Sequence, residues 1–356
     1  MTRIPALDGL RAIAVVAVVA FHSGQAPLAA GAFRGVDVFF VLSGFLITSI
    51  LAAEYRSSGT IRLVRFYARR ALRLLPALFL MLLGYLAVAP FAWPAHTLAG
   101  HARDAAIAAL FASDYVAALT PHPAYLEHTW SLAVEEHFYL VWPPLLVWLL
   151  ARGSALKITL AACAAALIWR CANFAVLDWN LAYYRFDTRL DGLLLGSALS
   201  LWLSARPDVL ATKVPRRLPA ILLALLAMQL VSGFWGDPMS GIVGISLAQL
   251  LTAALIAVHA IQVAQGQGKD TILATPVFGW VGRMSYAIYL WHYPIARLTR
   301  AVLPFWPSFL ACLALSSALA WFSWHTVEHL GRRARARMDA AAGSGDSQVG
   351  MPEAAR

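Results

Sequence analysis

The sequence predicts an all-α polytopic membrane protein with about ten transmembrane helices and both termini cytoplasmic. Three observations carry this. Of the 356 residues, 60% are hydrophobic and 13% charged, with a mean hydropathy of +0.67; a soluble domain carries roughly 25% charged residues. Apolar runs of about 20 residues, long enough to span a bilayer core, recur from end to end, and in a bilayer such runs close their backbone hydrogen bonds as helices. The basic residues, finally, are distributed unevenly between the two faces.

The runs fall at 11–29, 36–53, 74–92, 129–150, 157–176, 191–205, 219–235, 241–263, 282–300 and 307–326. An even number of spans leaves both termini on one side. Of the 28 Lys and Arg, all but seven lie on that side; the exceptions are Arg34, Arg103, Arg170, Arg185, Arg189, Arg297 and Arg300. The positive-inside rule makes the basic side cytoplasmic. Topology accounts for most of the net charge of +10, which argues against a nucleic-acid partner. Residues 1–337 form one membrane domain, and the small, polar segment 338–356 reads as a disordered cytoplasmic tail. A cleaved signal peptide is the competing reading of the N-terminus, but its apolar stretch runs on into further spans. Cys163 and Cys171 sit about 12 Å apart along one helix, too far to bridge, and no metal-ligand spacing stands out.

In the first span, Arg11 and His22 are eleven residues apart, about 20° beyond three full turns, so both leave one helix face, about 16 Å apart in height. The plain alternative is a basic anchor and a buried structural histidine. The second span, GVDVFFVLSGFLIT, places Asp37 at its outer edge and interrupts its apolar run with Ser43-Gly44, a pair that suits close helix packing. The cytoplasmic segment IRLVRFYARRALRLLP puts Arg62, Arg65, Arg69 and Arg73 on one face, with Pro76 punctuating the start of the third span. It is either an amphipathic helix on anionic membrane lipids or a phosphate clamp, since guanidinium groups pair with phosphate oxygens in bidentate fashion. In the fourth span, HTWSLAVEEHFYLVWP, adjacent Glu135 and Glu136 point about 100° apart, and ionisable groups placed there need a partner or a wet cavity. Trp130, Tyr139, Trp142 and Trp291 suit either sugar stacking or the membrane interface. His292 is similarly open.

Six motifs in order, GLRAIAVVAVVAFH, GVDVFFVLSGFLIT, FYARRALRLLP, HTWSLAVEEHFYLVWP, FDTRLDGLLLG and MSYAIYLWHYPI, give the chain a strong resemblance to the acyltransferase 3 family over residues 4 to about 330. That family consists of integral membrane enzymes that acylate, often O-acetylate, carbohydrates and other small acceptors. The resemblance implies an acyl-coenzyme A donor, with acetyl-coenzyme A foremost, a glycan or other carbohydrate acceptor, and a bacterial cytoplasmic membrane location. The family's Arg/Lys-x10-His pattern falls on Arg11 and His22, its Arg-x-x-Arg on Arg70 and Arg73, and its late acidic residue on Glu328. His137 departs from the more usual Gln. Without the extracytoplasmic esterase-like domain of some members, the chain is expected to work alone or with a separate partner.

On this expectation Arg70 and Arg73 hold the donor's phosphates with Arg11 beside its arm, and His22 is the general base. Glu135 or Glu136 orients the imidazole, while the other pairs with Arg185 or Arg189 or binds the acceptor. A transporter is the competing class, because intramembrane His, Arg and Glu also build substrate pathways. It predicts inverted repeats and paired broken helices, which are not found.

Overall fold

The computed structural model describes residues 4–121, 123–268 and 271–348, with side chains to Asp339. The described residues form helices and no strands. A helix stands at each of the ten predicted positions: α1 Ala6–His22, α2 Gly35–Ser58, α3 Leu63–Ala92, α6 Trp130–Ala151, α7 Ala155–Val176, α9 Leu190–Ala205, α10 Leu218–Val231, α11 Ile245–Ala264, α12 Pro276–Val302 and α13 Phe305–His325. The segment between α3 and α6 folds into α4 Leu98–Ala109 and α5 Ser113–Leu119, and α8 Trp179–Tyr183 precedes α9. The last helix, α14 Val327–Gln348, runs into the segment read as a tail, whose residues 349–356 lie outside the described residues.

By length and composition, five stretches are long and apolar enough to cross a membrane: Pro27–Ser58, Leu63–Ala92, Ala155–Val176, Ser240–Ala264 and Phe305–Asp339. Helices α9 and α10 are apolar but shorter. The other three of the ten fall outside this group for reasons visible in their residues. Helix α1 has 17 residues and carries Asp8 and Arg11, α6 carries Glu135, Glu136 and His137, and α12 carries Arg283, Arg297 and Arg300. These same helices bring the polar site together.

Two boundaries differ from expectation. Helix α1 stops at His22 rather than near residue 29; Gly24 takes φ +135°, and Pro27–Ala29 forms a separate 3-10 turn. His22 is therefore at the end of its helix. The basic segment 61–76 is no separate amphipathic helix either. It is the first part of α3, which continues through Pro76 to Ala92.

The spatial arrangement follows from close backbone approaches. Helix α2 lies against α9, where a Cβ on Gly44 would fall 1.9 Å from the Leu193 carbonyl oxygen, so Ser43-Gly44 does serve packing. Buried ion pairs tie α2 and α7 to the start of α9. Arg189 donates to Asp37 at 2.7 Å, and Arg170 donates to Asp191 at 2.8 Å; all four side chains are nearly inaccessible.

Candidate active site and its route through the bundle

Three cavities line up between α1, α2, α3, α6 and α12. The outer one, about 370 Å³, has His22 in its wall together with Trp130, Tyr183, Tyr184, Trp235 and Tyr293. A narrow waist of about 140 Å³ follows, lined by Phe39, Phe40, Ser43, Glu135, Tyr139 and Arg70; Val36 and Tyr289 border both. Beyond it opens a basic vestibule of about 500 Å³, sharing Arg11, Arg73, Ser285 and Tyr286 with the waist. Arg11 and His22 thus face one route at different levels, as their spacing predicts.

The hydrogen bonds of His22 assign its protons. Nδ1 of His292 lies 2.5 Å from the Tyr289 carbonyl oxygen. A carbonyl only accepts, so this nitrogen carries the proton, and Nε2 of the neutral His292 ring is an acceptor. It faces Nδ1 of His22 at 3.2 Å, and that same Nδ1 is 2.9 Å from the Val18 carbonyl oxygen. Nδ1 of His22 therefore carries the proton, shared between two acceptors. The lone pair of neutral His22 is left on Nε2, which makes no hydrogen bond among the described residues. The ring is pre-set to accept a proton.

Among the described residues no carboxylate orients His22, contrary to expectation. Glu136 accepts two hydrogen bonds from Arg70, Nη2 at 2.5 Å and Nε at 3.1 Å, and the Arg70 guanidinium lies 3.3 Å over the Tyr139 ring. Glu135 accepts from Ser43 Oγ at 2.8 Å and lines the waist. His22, the last residue of α1, lines the outer cavity with Trp130, the first residue of α6, whereas the two glutamates lie about 8 Å down α6 from that residue. Nor does either glutamate pair with Arg185 or Arg189, which take Asp187 and Asp37. His137 faces Asp114 of α5 at 3.2 Å, away from the route.

Asp37 sits in the buried clamp with Arg189, and Arg73 borders both waist and vestibule. Glu328 reaches the vestibule wall, accepting from Ser323 Oγ at 2.9 Å. Of the four aromatics considered for sugar stacking, Trp130 lines the outer cavity and Tyr139 the waist. Trp142 donates to Thr48, and Trp291 packs where a Gly84 Cβ would stand.

Several wall residues escaped sequence reading. Glu127 accepts from Tyr184 and, at 3.4 Å, from Tyr293. Burial, the Glu127 charge and this hydrogen bond hold the Tyr184 phenol well above its ordinary range, so it stays a donor. His128 donates Nε2–H to the Leu290 carbonyl oxygen at 3.1 Å and stacks on Tyr293. Arg300 donates to the backbone oxygen of His22 at 3.2 Å. Glu127 and His128 stand in the 3-10 turn before α6 and Arg300 near the end of α12, positions where nothing local in the sequence says that they converge.

The described residues thus form a bundle of apolar helices with a histidine at one end of a route and arginines at the other, and the class of protein follows from comparison of the sequence with known families. The sequence profile of that class, described as an acyltransferase domain, matches residues 4–325, and the chain belongs to this acyltransferase 3 family. It is 33% identical over 327 residues to the peptidoglycan O-acetyltransferase OatA of Listeria monocytogenes, covering 84% of this chain and 50% of that protein. It is 34% identical over 315 residues to the O-acetyltransferase OatA of Staphylococcus aureus, covering 82% and 50%. The chain thus spans about half the length of these relatives. No solved structure matches it.

Proposed function

We propose that this chain is a bacterial cytoplasmic-membrane O-acetyltransferase that takes the acetyl group of acetyl-coenzyme A from the cytoplasmic side and passes it to a hydroxyl of an extracytoplasmic glycan. The observation that carries the reading is the line of cavities leading from the arginines, past the waist, to His22. Peptidoglycan is the first acceptor to test, because the Listeria relative is named for it. The ten helices all cross, with the arginine vestibule inside.

The residues present suit such a donor. Arg11 and Arg73 face the vestibule where phosphates would bind, and the waist is narrow and mixes apolar side chains with Ser43, Ser131 and Ser285, which suits a thin pantetheine arm carrying two amides. That arm, on the order of 15–20 Å, matches the rise of about 16 Å between Arg11 and His22. Nε2 of His22 takes the acceptor hydroxyl's proton as its oxygen attacks the thioester carbonyl carbon. The C–S bond breaks, and the proton passes to the departing thiolate. His292 and the Val18 carbonyl hold the ring in the tautomer this step needs. Trp130, Tyr183 and Trp235 offer flat apolar faces to a sugar ring.

The test is acetyl transfer by purified protein in vesicles, with labelled acetyl-coenzyme A supplied on the vestibule side and peptidoglycan fragments on the other. Acetylated fragments bearing the label are the expected result. Fragment movement without thioester consumption would make the chain a transporter and overturn the proposal.

A further inference from the structure

The inner end of the route divides into two bays on either side of α14, with Arg73 and Arg335 bordering both. One bay, about 380 Å³, faces Arg65 and Arg69 of α3 and Arg62 just before it; the other, about 500 Å³, lies between α12 and α14. We infer that the α12–α14 bay, through Arg283 and Arg335 acting with Arg73, is a binding site for a phosphate-rich ligand and receives the nucleotide end of the donor. This rests on the acyl-coenzyme A reading above.

The charge already matched in each bay decides between them. In the α3 bay, Asp339 takes Arg69 at 2.6 Å and Arg65 at 3.3 Å, and Arg70 is matched by Glu136 at 2.5 Å. Glu54 lines the same bay and accepts from the backbone N–H of Arg62 at 3.0 Å. A phosphate entering there would have to displace carboxylates.

Of the two carboxylates in the α12–α14 bay, Asp8 is taken by Arg11 of the same bay at 3.4 Å, and Glu328 accepts from Ser323. Arg73, Arg283 and Arg335 form no ion pair among the described residues. Arg73 has like charge around it, from Arg11 and Arg70 foremost and from Arg335 after them, a repulsion that a bound polyanion relieves.

The walls of this bay are also built to hold their positions. A Cβ on Gly282 would fall 1.9 Å from the Asp8 carbonyl oxygen, and one on Gly331 would fall 2.2 Å from that of Leu72. These approaches press α12 onto α1 and α14 onto α3, one residue before Arg283 and one before Arg332. Arg332 is held in turn by the Trp324 carbonyl at 2.9 Å, with its guanidinium 3.8 Å over that indole. The unpaired arginines are therefore carried on fixed backbone.

A phospholipid headgroup shares the phosphate chemistry, so the test separates the two sources. Adenosine 3′,5′-bisphosphate, which has the ribose phosphates without thioester or arm, is titrated by calorimetry into the full chain in neutral detergent. The parent should bind it. Arg283→Ala and Arg335→Ala should each weaken binding about tenfold or more, as loss of a charge-assisted contact implies, and Arg62→Ala by less than about threefold. Arg283→Lys and Arg335→Lys, which keep charge and bulk, should recover part of the loss and guard against misfolding. Equal weakening by all three alanine variants, or no binding by the parent, would overturn the site. So would phosphatidylglycerol competing at the arginines while the bisphosphate does not bind, which would make them a lipid contact. The acyl-transfer reading fails separately: the bisphosphate would bind and depend on Arg283 and Arg335, yet no acetyl group would be transferred.

Discussion

At the scale of single residues, the proton on His22 is the decisive detail. His22→Gln keeps a polar group but removes the lone pair on Nε2, so acetyl transfer should fall about 10²–10⁴-fold while bisphosphate binding is kept. A His22→Gln protein with most of its activity would refute the base assignment. His292 acts through His22 and is a positioning residue. His292→Phe should lower kcat about 10–100-fold, by analogy with outer-shell partners of other functional histidines, and leave the donor KM unchanged. His292→Gln, with an oxygen able to accept from His22 Nδ1–H, should recover much of the loss, and equal kcat in both variants would remove His292 from the mechanism. The two glutamates separate by stability. Glu136→Gln strips Arg70 of its charge partner at a part-buried site, a cost of about 1–3 kcal/mol, whereas Glu135→Gln keeps an oxygen for Ser43. Glu136→Gln should therefore give the lower melting temperature in detergent, and the reverse order would refute the assignment of partners.

At the scale of elements, the route exists because helices touch backbone to backbone around it. The contact of α2 with α9 at Gly44 leaves no room for a methyl group. Gly44→Ala must push the helices apart, at about 1–3 kcal/mol for overpacking, and should lower the melting temperature measurably. An unchanged melting temperature would mean that the two helices are not held at this separation. Helix α3, about 45 Å long by its 30 residues, carries Arg70 to the waist and Arg65 and Arg69 to the inner bay on one continuous element. Its length is why arginines in a single motif serve different partners.

For the whole molecule, the proposed orientation is testable from outside the cell. In a chain whose Cys163, Cys171 and Cys312 are replaced, a cysteine at Ser58 should resist an impermeant thiol reagent in intact cells, and one at Asp237 should react. Ser58 closes α2 beyond its predicted span of 36–53, and Asp237 lies before α11. Labelling at Ser58 would invert the topology and put the arginine vestibule on the wrong side for a cytoplasmic donor.

The positions of the helices were legible because they depend on local properties: runs of apolar residues and the need of a backbone in lipid to satisfy itself. The Arg11–His22 alignment was legible too, since eleven residues of regular helix give nearly whole turns. The motifs likewise sufficed to place the chain in its family. The partners were not legible. His22 meets His292 across 270 residues, and Glu135 meets Ser43 across 92, distances over which no local periodicity carries information. Their comparable height along the helices suggested that Glu135 or Glu136 orients His22, yet tertiary packing gave Glu136 to Arg70 and left the His22 imidazole to another imidazole. That the ring at the end of α1 stands in the outer cavity, apart from the glutamates, was also a tertiary matter, since it depends on how α1 and α6 are set against each other. Which arginines stay unpaired depends on which carboxylates the folded chain brings within reach, and that is set only when α12 and α14 close onto α1 and α3.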